Sequence, residues 1–198
     1  MGLDDQSLRR RVKDEIRTRM RQVRKALPAA VRAERASRIH AALFELAEWK
    51  EASSVLVYAS MRTEVDTGPV VERARAEGKR VACPRMSDDG AELDPRVWEA
   101  GVTPYEQGRL APEPPPEAHR MPLDQLELVI VPALALDPRG GRIGYGKGYY
   151  DRLLARIPEV ARVAVAFDFQ LLAEIPETEG DERVHVIVTD ARVLDCRA

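Results

Sequence analysis

Apolar positions set out the elements of this chain. Leu8, Val12, Ile16, Met20, Val23 and Leu27 recur at steps of three and four, which predicts an amphipathic helix over residues 7 to 27. Pro28 ends it, and a second amphipathic helix follows from Val31 to Leu46 through Ile39, Leu43 and Leu46. The pattern then changes. Residues 54–58 form a β-branched apolar run with the length of a buried strand. Thr67 can cap a helix that passes through Val70, Val71 and Ala74 and stops at Gly78, and residues 80–83 make a second strand. Strand, helix, strand predicts parallel pairing. Further strands are expected at residues 128–131, 163–167 and 184–188, with a helical turn at 169–172. Residues 86–127 read as an irregular surface excursion: a turn at Asp88-Asp89-Gly90, a short strand at Val97-Trp98 and a stiff connection at 112–116.

Length and charge narrow the classes. A chain of 198 residues with 44% hydrophobic content can bury one substantial core, so a single α/β domain over residues 1–198 is expected, with helices 7–47 packed on its sheet. The net charge of −2 gives no global case for nucleic acid or membrane. Arg9, Lys13, Arg17, Arg21 and Arg24 do make one helix face basic; this reads first as a solvated surface, since a nucleic-acid site would call for interleaved aromatics. Arg9-Arg10-Arg11 is followed by no apolar signal core, and the longest apolar runs, near Val129 and Val163, are too short to span a bilayer. A soluble, cytoplasmic monomer acting on small molecules, with no nucleic acid and no membrane partner, is the expectation. Cys83 and Cys196 lack metal-ligand spacing with the three histidines His40, His119 and His185, so structural thiols and no zinc site are expected.

The candidate chemistry lies in Gly140-Gly141-Arg142-Ile143-Gly144-Tyr145-Gly146-Lys147-Gly148-Tyr149-Tyr150-Asp151. An apolar strand precedes it and Arg152-Leu153-Leu154 follows, so it reads as strand, glycine loop, helix, the setting in which backbone amides hold phosphate. Arg142 and Lys147 add positive charge there, and Asp151, four residues after Lys147, can either ligate a divalent ion or make an ordinary i,i+4 pair with that lysine. Two familiar motifs fail. Gly141 to Lys147 has Walker A spacing, but Gly148 stands where Ser or Thr must bind magnesium; Gly144-x-Gly146-x-Gly148 puts the third glycine of a dinucleotide fingerprint one residue early. No Gly-x-Ser-x-Gly elbow and no His-Glu-x-x-His is present, and what remains suits phosphoryl transfer.

The segment Gly-x-Arg-Ile-Gly-Tyr-Gly-Lys-Gly-Tyr-Tyr-Asp also resembles the signature of the 5-formyltetrahydrofolate cyclo-ligase (methenyltetrahydrofolate synthetase) family, and the likeness extends over nearly the whole chain. The resemblance implies a Rossmann-like three-layer α/β/α sandwich with a mostly parallel central sheet and an N-terminal helical pair. It also implies ATP- and Mg2+-dependent conversion of 5-formyltetrahydrofolate to 5,10-methenyltetrahydrofolate, ADP and phosphate. Under it, Arg142 and Lys147 would act on the transferring phosphoryl group, and Lys13 and Arg17 would bind the ATP tail. Ile143, Gly144, Tyr145, Gly146, Gly148, Tyr149 and Tyr150 would complete the ATP site. Glu64, in the Glu-Val-Asp-Thr segment of the loop after the first strand (62–66), would face the reduced folate with Tyr145, Gly146, Lys147, Gly148 and Tyr149. Asp151 and Asp181 would hold magnesium. Arg109, Ala133 and Leu136 depart from the family pattern, whereas Pro112-Glu113-Pro114 keeps it. His185 stands where the family commonly has an acid and reads as a packed residue. A related sugar-phosphate isomerase or CoA-transferase-like enzyme, without ATP dependence, and a nucleotide- or RNA-binding module are the alternatives.

Overall fold

The structure, a computed structural model, describes residues 5–61, 63–102, 104 and 112–197; Arg62 and Arg109 lie outside the described residues. The elements run α1 (Asp5–Ala26), α2 (Ala29–Glu45), α3 (Ala47–Glu51), β1 (Ser54–Val57), α4 (Gly68–Ala76), β2 (Arg80–Met86), β3 (Leu93–Val97), β4 (Leu128–Val131), β5 (Ala135–Leu136), β6 (Arg142–Ile143), α5 (Tyr149–Ala155), β7 (Ala161–Val165), β8 (Val186–Val188) and β9 (Val193–Asp195). Seven strands form one sheet in the order β3-β2-β1-β4-β7-β8-β9. The five inner strands are parallel, and β3 and β9 add antiparallel edges.

Strand residues alternate between two cores, as the pleat requires. Val55, Val57, Ile130 and Val163 face one core with Ile39 and Leu43 of α2, Trp49 of α3 and Val70 of α4. Leu56, Val129, Val131 and Ala164 face the other with Leu153 and Leu154 of α5. This is the three-layer α/β/α arrangement that the resemblance implied, with the parallel pairing that the strand and helix pattern predicted. Full burial of Ile39 and Leu43 contributes on the order of 1.5–3 kcal/mol each, which fixes α2 on the sheet. α1 differs. It packs Met20 against Leu134, Ala135 and Ile143 of a separate two-stranded ribbon, β5-β6.

Three local expectations change. Thr67 precedes α4 but caps nothing: its hydroxyl donates to the Tyr58 carbonyl at 2.6 Å and accepts from the Ser60 amide at 3.1 Å, while Asp66 accepts from the Gly68 amide at 3.0 Å. Thr67 thereby closes the loop that leaves β1. Residues 86–127 are not wholly irregular, because β3 pairs with β2 over five residues after the Gly90 turn. A hairpin also intervenes between β4 and α5, which replaces a direct strand-loop-helix connection.

That hairpin turns on Gly140, whose φ is +82° and where an added Cβ would stand 2.3 Å from the Val184 carbonyl. Gly140→Ala is expected to lose about 2–3 kcal/mol, or roughly 5–10 °C in Tm, because backbone strain and a backbone clash combine. Gly78→Ala, at φ +74° in open space, is expected to lose about 1 kcal/mol. Equal Tm shifts for the two variants would show that the Val184 contact is relaxed at no cost.

Candidate active site

In open parallel sheets ligands bind beyond the carboxyl ends of the strands where the strand order reverses. Here the order reverses between β1 and β4, since β1 leads outward to β2 and β4 leads the other way to β7 and β8. Tyr58 and Ala59 follow β1, Pro132 follows β4, and all three line a cleft of about 590 Å³. That volume lies within the usual range for small-molecule sites.

The glycine segment serves two purposes. Its first half folds around Asp137, a fully buried carboxylate that accepts from the amides of Arg139 at 3.0 Å, Gly141 at 3.1 Å and Ile175 at 3.3 Å. Gly141 is thus committed to the protein's own anion. The second half, Gly144 to Gly148, lines the cleft. Ile143 does not: its side chain is buried beside Met20 and Leu134, and its carbonyl accepts from the Leu134 amide at 2.8 Å. The amides of Gly146, Lys147 and Gly148 donate to no other described residue, so this stretch presents open N–H groups to the cleft. The following helix is only seven residues long, which leaves the loop amides and side chains to carry most of the anion affinity.

Arg142 is not an open charge. Its side chain is 3% exposed and pairs with Asp151 at 2.5 Å, with the guanidinium carbon 5.9 Å from the Tyr150 ring centre. Asp151 therefore does not pair with Lys147. Lys147 is exposed on the cleft and makes no ion pair among the described residues; the same holds for Arg10 and Arg152. Three uncompensated cations at one mouth favour a polyanion.

Helix α1 closes one side of the cleft, and its buried stripe follows the expected one only in part: Met20 is buried and Ile16 packs beside it, but at three other positions the next residue faces inward or is less exposed. Lys13, Met20 and Arg24 are buried and Arg17 half-buried, whereas Leu8, Val12 and Val23 are exposed, Leu8 at 51%. The basic face accordingly turns toward the cleft and is not a free solvated surface. Lys13 binds the Asp181 carboxylate and the Thr178 hydroxyl, the latter at 2.7 Å. Arg17 donates to the Gly144 carbonyl at 2.9 Å and to Asp14 at 2.6 Å. Arg24 donates to the Tyr145 hydroxyl at 2.8 Å, and that hydroxyl donates to Glu64 at 2.5 Å. The second Glu64 oxygen accepts from the Met61 amide at 2.8 Å.

Burial first, and then the nearby Glu64 charge, push the Tyr145 phenol well above its usual pKa, so it stays a neutral donor. Burial likewise raises Tyr58 and Tyr150. Tyr150 lines the cleft with its buried hydroxyl making no hydrogen bond among the described residues, while the Tyr149 hydroxyl lies 3.2 Å from the Gly90 carbonyl, tying it to the β2–β3 turn. Arg24 was read only as part of the basic face; its seven-residue step from Arg17, placing both on one helix face, was the available signal. Tyr58, at the end of β1, and Thr178, three residues before Asp181, also line the cleft and were not singled out.

Among the described residues no three His, Cys, Asp or Glu side chains gather as a metal cage. Magnesium needs only one or two carboxylates beside phosphate oxygens and water. Asp151 fits that requirement, since Oδ1 accepts from Arg142 and from the Glu182 amide at 3.3 Å while Oδ2 accepts no hydrogen bond among the described residues. Asp181 is nearby through Glu182, but its oxygens already serve Lys13 and Thr178. Ala133 and Leu136 are buried and do not line the cleft, so their departure from the family pattern concerns packing. His185 is half-buried beside Arg162, and burial lowers its pKa. No helix of the described residues is long and apolar enough to cross a membrane.

Comparison with known proteins converges on one group. The 5-formyltetrahydrofolate cyclo-ligase of Mycolicibacterium smegmatis is 30% identical over 187 residues, which cover 92% of this chain and 95% of the relative. The corresponding protein of Escherichia coli K12 is 31% identical over 148 residues, covering 73% and 81%. The NMR structure of Aquifex aeolicus 5,10-methenyltetrahydrofolate synthetase matches with a TM-score of 0.82 at 29% identity over 94% of each chain. A model of the 5-formyltetrahydrofolate cyclo-ligase family matches residues 9–190, a span that includes the α1 cations, Glu64, the glycine segment and Asp181, and this chain belongs to that family of ligases.

Proposed function

We propose that this protein carries out the ATP-dependent cyclisation of 5-formyltetrahydrofolate to 5,10-methenyltetrahydrofolate, with release of ADP and phosphate. The observation that carries this reading is one cleft, at the sheet's switch point, joining open loop amides and uncompensated cations to a buried Glu64–Tyr145–Arg24 cluster.

The chemistry asks for little beyond placement and charge. N5 and N10 of the folate are neighbours within one molecule, so ring closure is favoured by proximity. The obstacle is the formyl oxygen, a poor leaving group. Transfer of the γ-phosphoryl group breaks its bond to ADP and forms a bond to that oxygen. The N10 lone pair then attacks the formyl carbon, and the C–O bond breaks with its electron pair leaving on phosphate, which takes up the N10 proton as hydrogen phosphate. Lys147, aided by the Gly146–Gly148 amides, is placed to hold the transferring phosphoryl group, where positioned donors act most strongly on the charge of the transition state. Arg142 orients Asp151 and stacks beside Tyr150. Lys13 and Arg17 hold the polyphosphate tail together with Gly144, and Tyr149 and Tyr150 wall the site. Glu64 and Tyr145 face the reduced folate. Asp151, with Asp181 behind it, would hold magnesium, which when bound supplies countercharge to the polyphosphate. The protein acts on these small molecules as a cytoplasmic monomer.

A spectroscopic assay for the methenyl product, with and without ATP, tests the reading. ATP-dependent product is expected, and its absence at saturating enzyme would remove the proposal. Lys13→Ala with Arg17→Ala is expected to raise the KM for ATP about tenfold or more. The Lys13 change also lowers Tm, since Asp181 then keeps only Thr178. Unchanged ATP binding would return both side chains to a purely structural role.

A further inference from the structure

One peptide unit of the glycine segment is held by an arginine of the helix that follows it. Arg152, early in α5, donates from Nη1 to the Lys147 carbonyl at 3.1 Å and from Nε to the Ala91 carbonyl at 3.0 Å. Its guanidinium carbon stands 5.0 Å from the centre of the Tyr149 ring. The side chain is exposed and makes no ion pair among the described residues, but two carbonyls and an aromatic face fix its direction. Ala91 is a firm anchor. Its amide donates to Asp89 at 3.0 Å, and Ser87 donates to the same carboxylate at 2.6 Å while accepting from the Glu92 amide at 3.0 Å, so the β2–β3 turn is closed by its own side chains. Arg152 is the one donor to the Lys147 carbonyl among the described residues, since the backbone ladder of α5 starts one residue later, with the Arg152 amide bonding back to Gly148.

A held carbonyl also aims an amide. The peptide joining Lys147 to Gly148 is trans, so its N–H points opposite to its C=O, and the Gly148 amide is one of those that donate to no described residue and open on the cleft. The backbone alone does not fix that orientation. Gly148 sits at φ +67°, and turning the peptide over would carry it to negative φ, which glycine adopts as readily. The guanidinium is packed directly on this residue, because a Cβ added to Gly148 would stand 3.0 Å from Arg152 Nη1. We propose that Arg152 is a positioning residue for phosphoryl transfer: by tying the Lys147 carbonyl to the Ala91 turn it keeps the Gly148 N–H directed at a phosphate oxygen of the bound nucleotide, an inference that rests on the cyclo-ligase reading. The rival role is plain charge, Arg152 as one more cation that draws the polyphosphate in. A guanidinium holds two carbonyls at once in fixed directions and an ammonium does not, so the two roles part in Arg152→Lys.

The experiment combines kinetics with a direct view of the amide. In the parent protein, 15N-labelled at glycine, a non-hydrolysable ATP analogue with magnesium is expected to move the Gly148 amide proton downfield, as a new hydrogen bond to phosphate requires. In Arg152→Lys and Arg152→Gln that shift is expected to fall below about half. Both variants are expected to lose kcat about tenfold or more with the KM for ATP within about threefold, as for the loss of one positioned donor. Arg156→Gln, which removes only the ion pair of α5 with Glu92 on the same turn, is expected to keep kcat within about twofold and controls for loosening of that turn. An Arg152→Lys kcat within about twofold of the parent overturns the proposal and leaves Arg152 a charge. A full Gly148 shift in both Arg152 variants also overturns it, as does an equal loss of kcat in Arg156→Gln. A parent that makes the methenyl product but whose Gly148 amide does not move with the analogue overturns it without reference to any variant, which covers variants that do not fold. Failure of the cyclo-ligase reading looks different: the Gly148 shift is present, but no ATP-dependent methenyl product forms from the parent.

Discussion

Lys147→Ala is expected to lower kcat by about 10²–10³-fold while leaving the KM for ATP within about threefold. The residue is exposed and makes no ion pair among the described residues, so removing it costs the fold little. In the ground state its ammonium is one of several cations facing the cleft, alongside Arg10 and Arg152, and the loss of one among several changes binding modestly. In the transition state charge develops on the transferring phosphoryl oxygens, and a group positioned there acts on the barrier more than on affinity. Steady-state kinetics with ATP and folate varied separately, together with a Tm, decide the matter. An unchanged kcat would take Lys147 out of the reacting centre, and a raised KM alone would make it a binding residue only.

Much of this architecture was legible because its determinants are local. The runs at residues 54–57 and 128–131 are β-branched and continuous, and the crossover helix between β1 and β2 ends at a glycine with positive φ, so strand, helix and parallel pairing could be read directly. The ribbon β5-β6 was not legible. Two strands of two residues each carry no periodicity, and the glycines at its turn look like phosphate-loop glycines until Asp137 is seen to occupy their amides. Helix α1 misled for a related reason. Periodicity alone assigns Leu8, Val12 and Val23 to the buried stripe, but Arg9, Lys13 and Arg24, each one residue further on, gain carboxylate, hydroxyl or carbonyl partners across the cleft. Buried hydrogen bonds to charged groups, about 1.5–3 kcal/mol each, outweigh partial burial of a valine or leucine. Glu64 and Tyr145 were assigned to one site by resemblance, and only the fold brings them within 2.5 Å of each other. Sequence separation hid the pairing of Arg142 with Asp151, since a nine-residue step suits no helical rule and depends on the turn before α5.

Asp151→Asn should separate two roles that the structure combines in one carboxylate. Oδ1 faces Arg142, whose guanidinium is buried and which, among the described residues, has no hydrogen-bond partner for its Nε and pairs with no other carboxylate. Taking the charge away leaves a buried cation uncompensated, though asparagine keeps one oxygen for it. A loss of about 2 kcal/mol, or roughly 4–8 °C in Tm, is expected from this alone. Oδ2 points to the second role, because an oxygen left without a donor in a phosphate-binding cleft is repelled by the phosphate unless a cation stands between them. If magnesium is that cation, the variant requires at least tenfold more magnesium for half-maximal turnover and remains slower at saturation, even at a temperature where it is fully folded. Should the Tm fall while the magnesium titration overlaps that of the parent, Asp151 is only the counterion of Arg142. Asp181, already held by Lys13 and Thr178, then loses its claim to the metal as well.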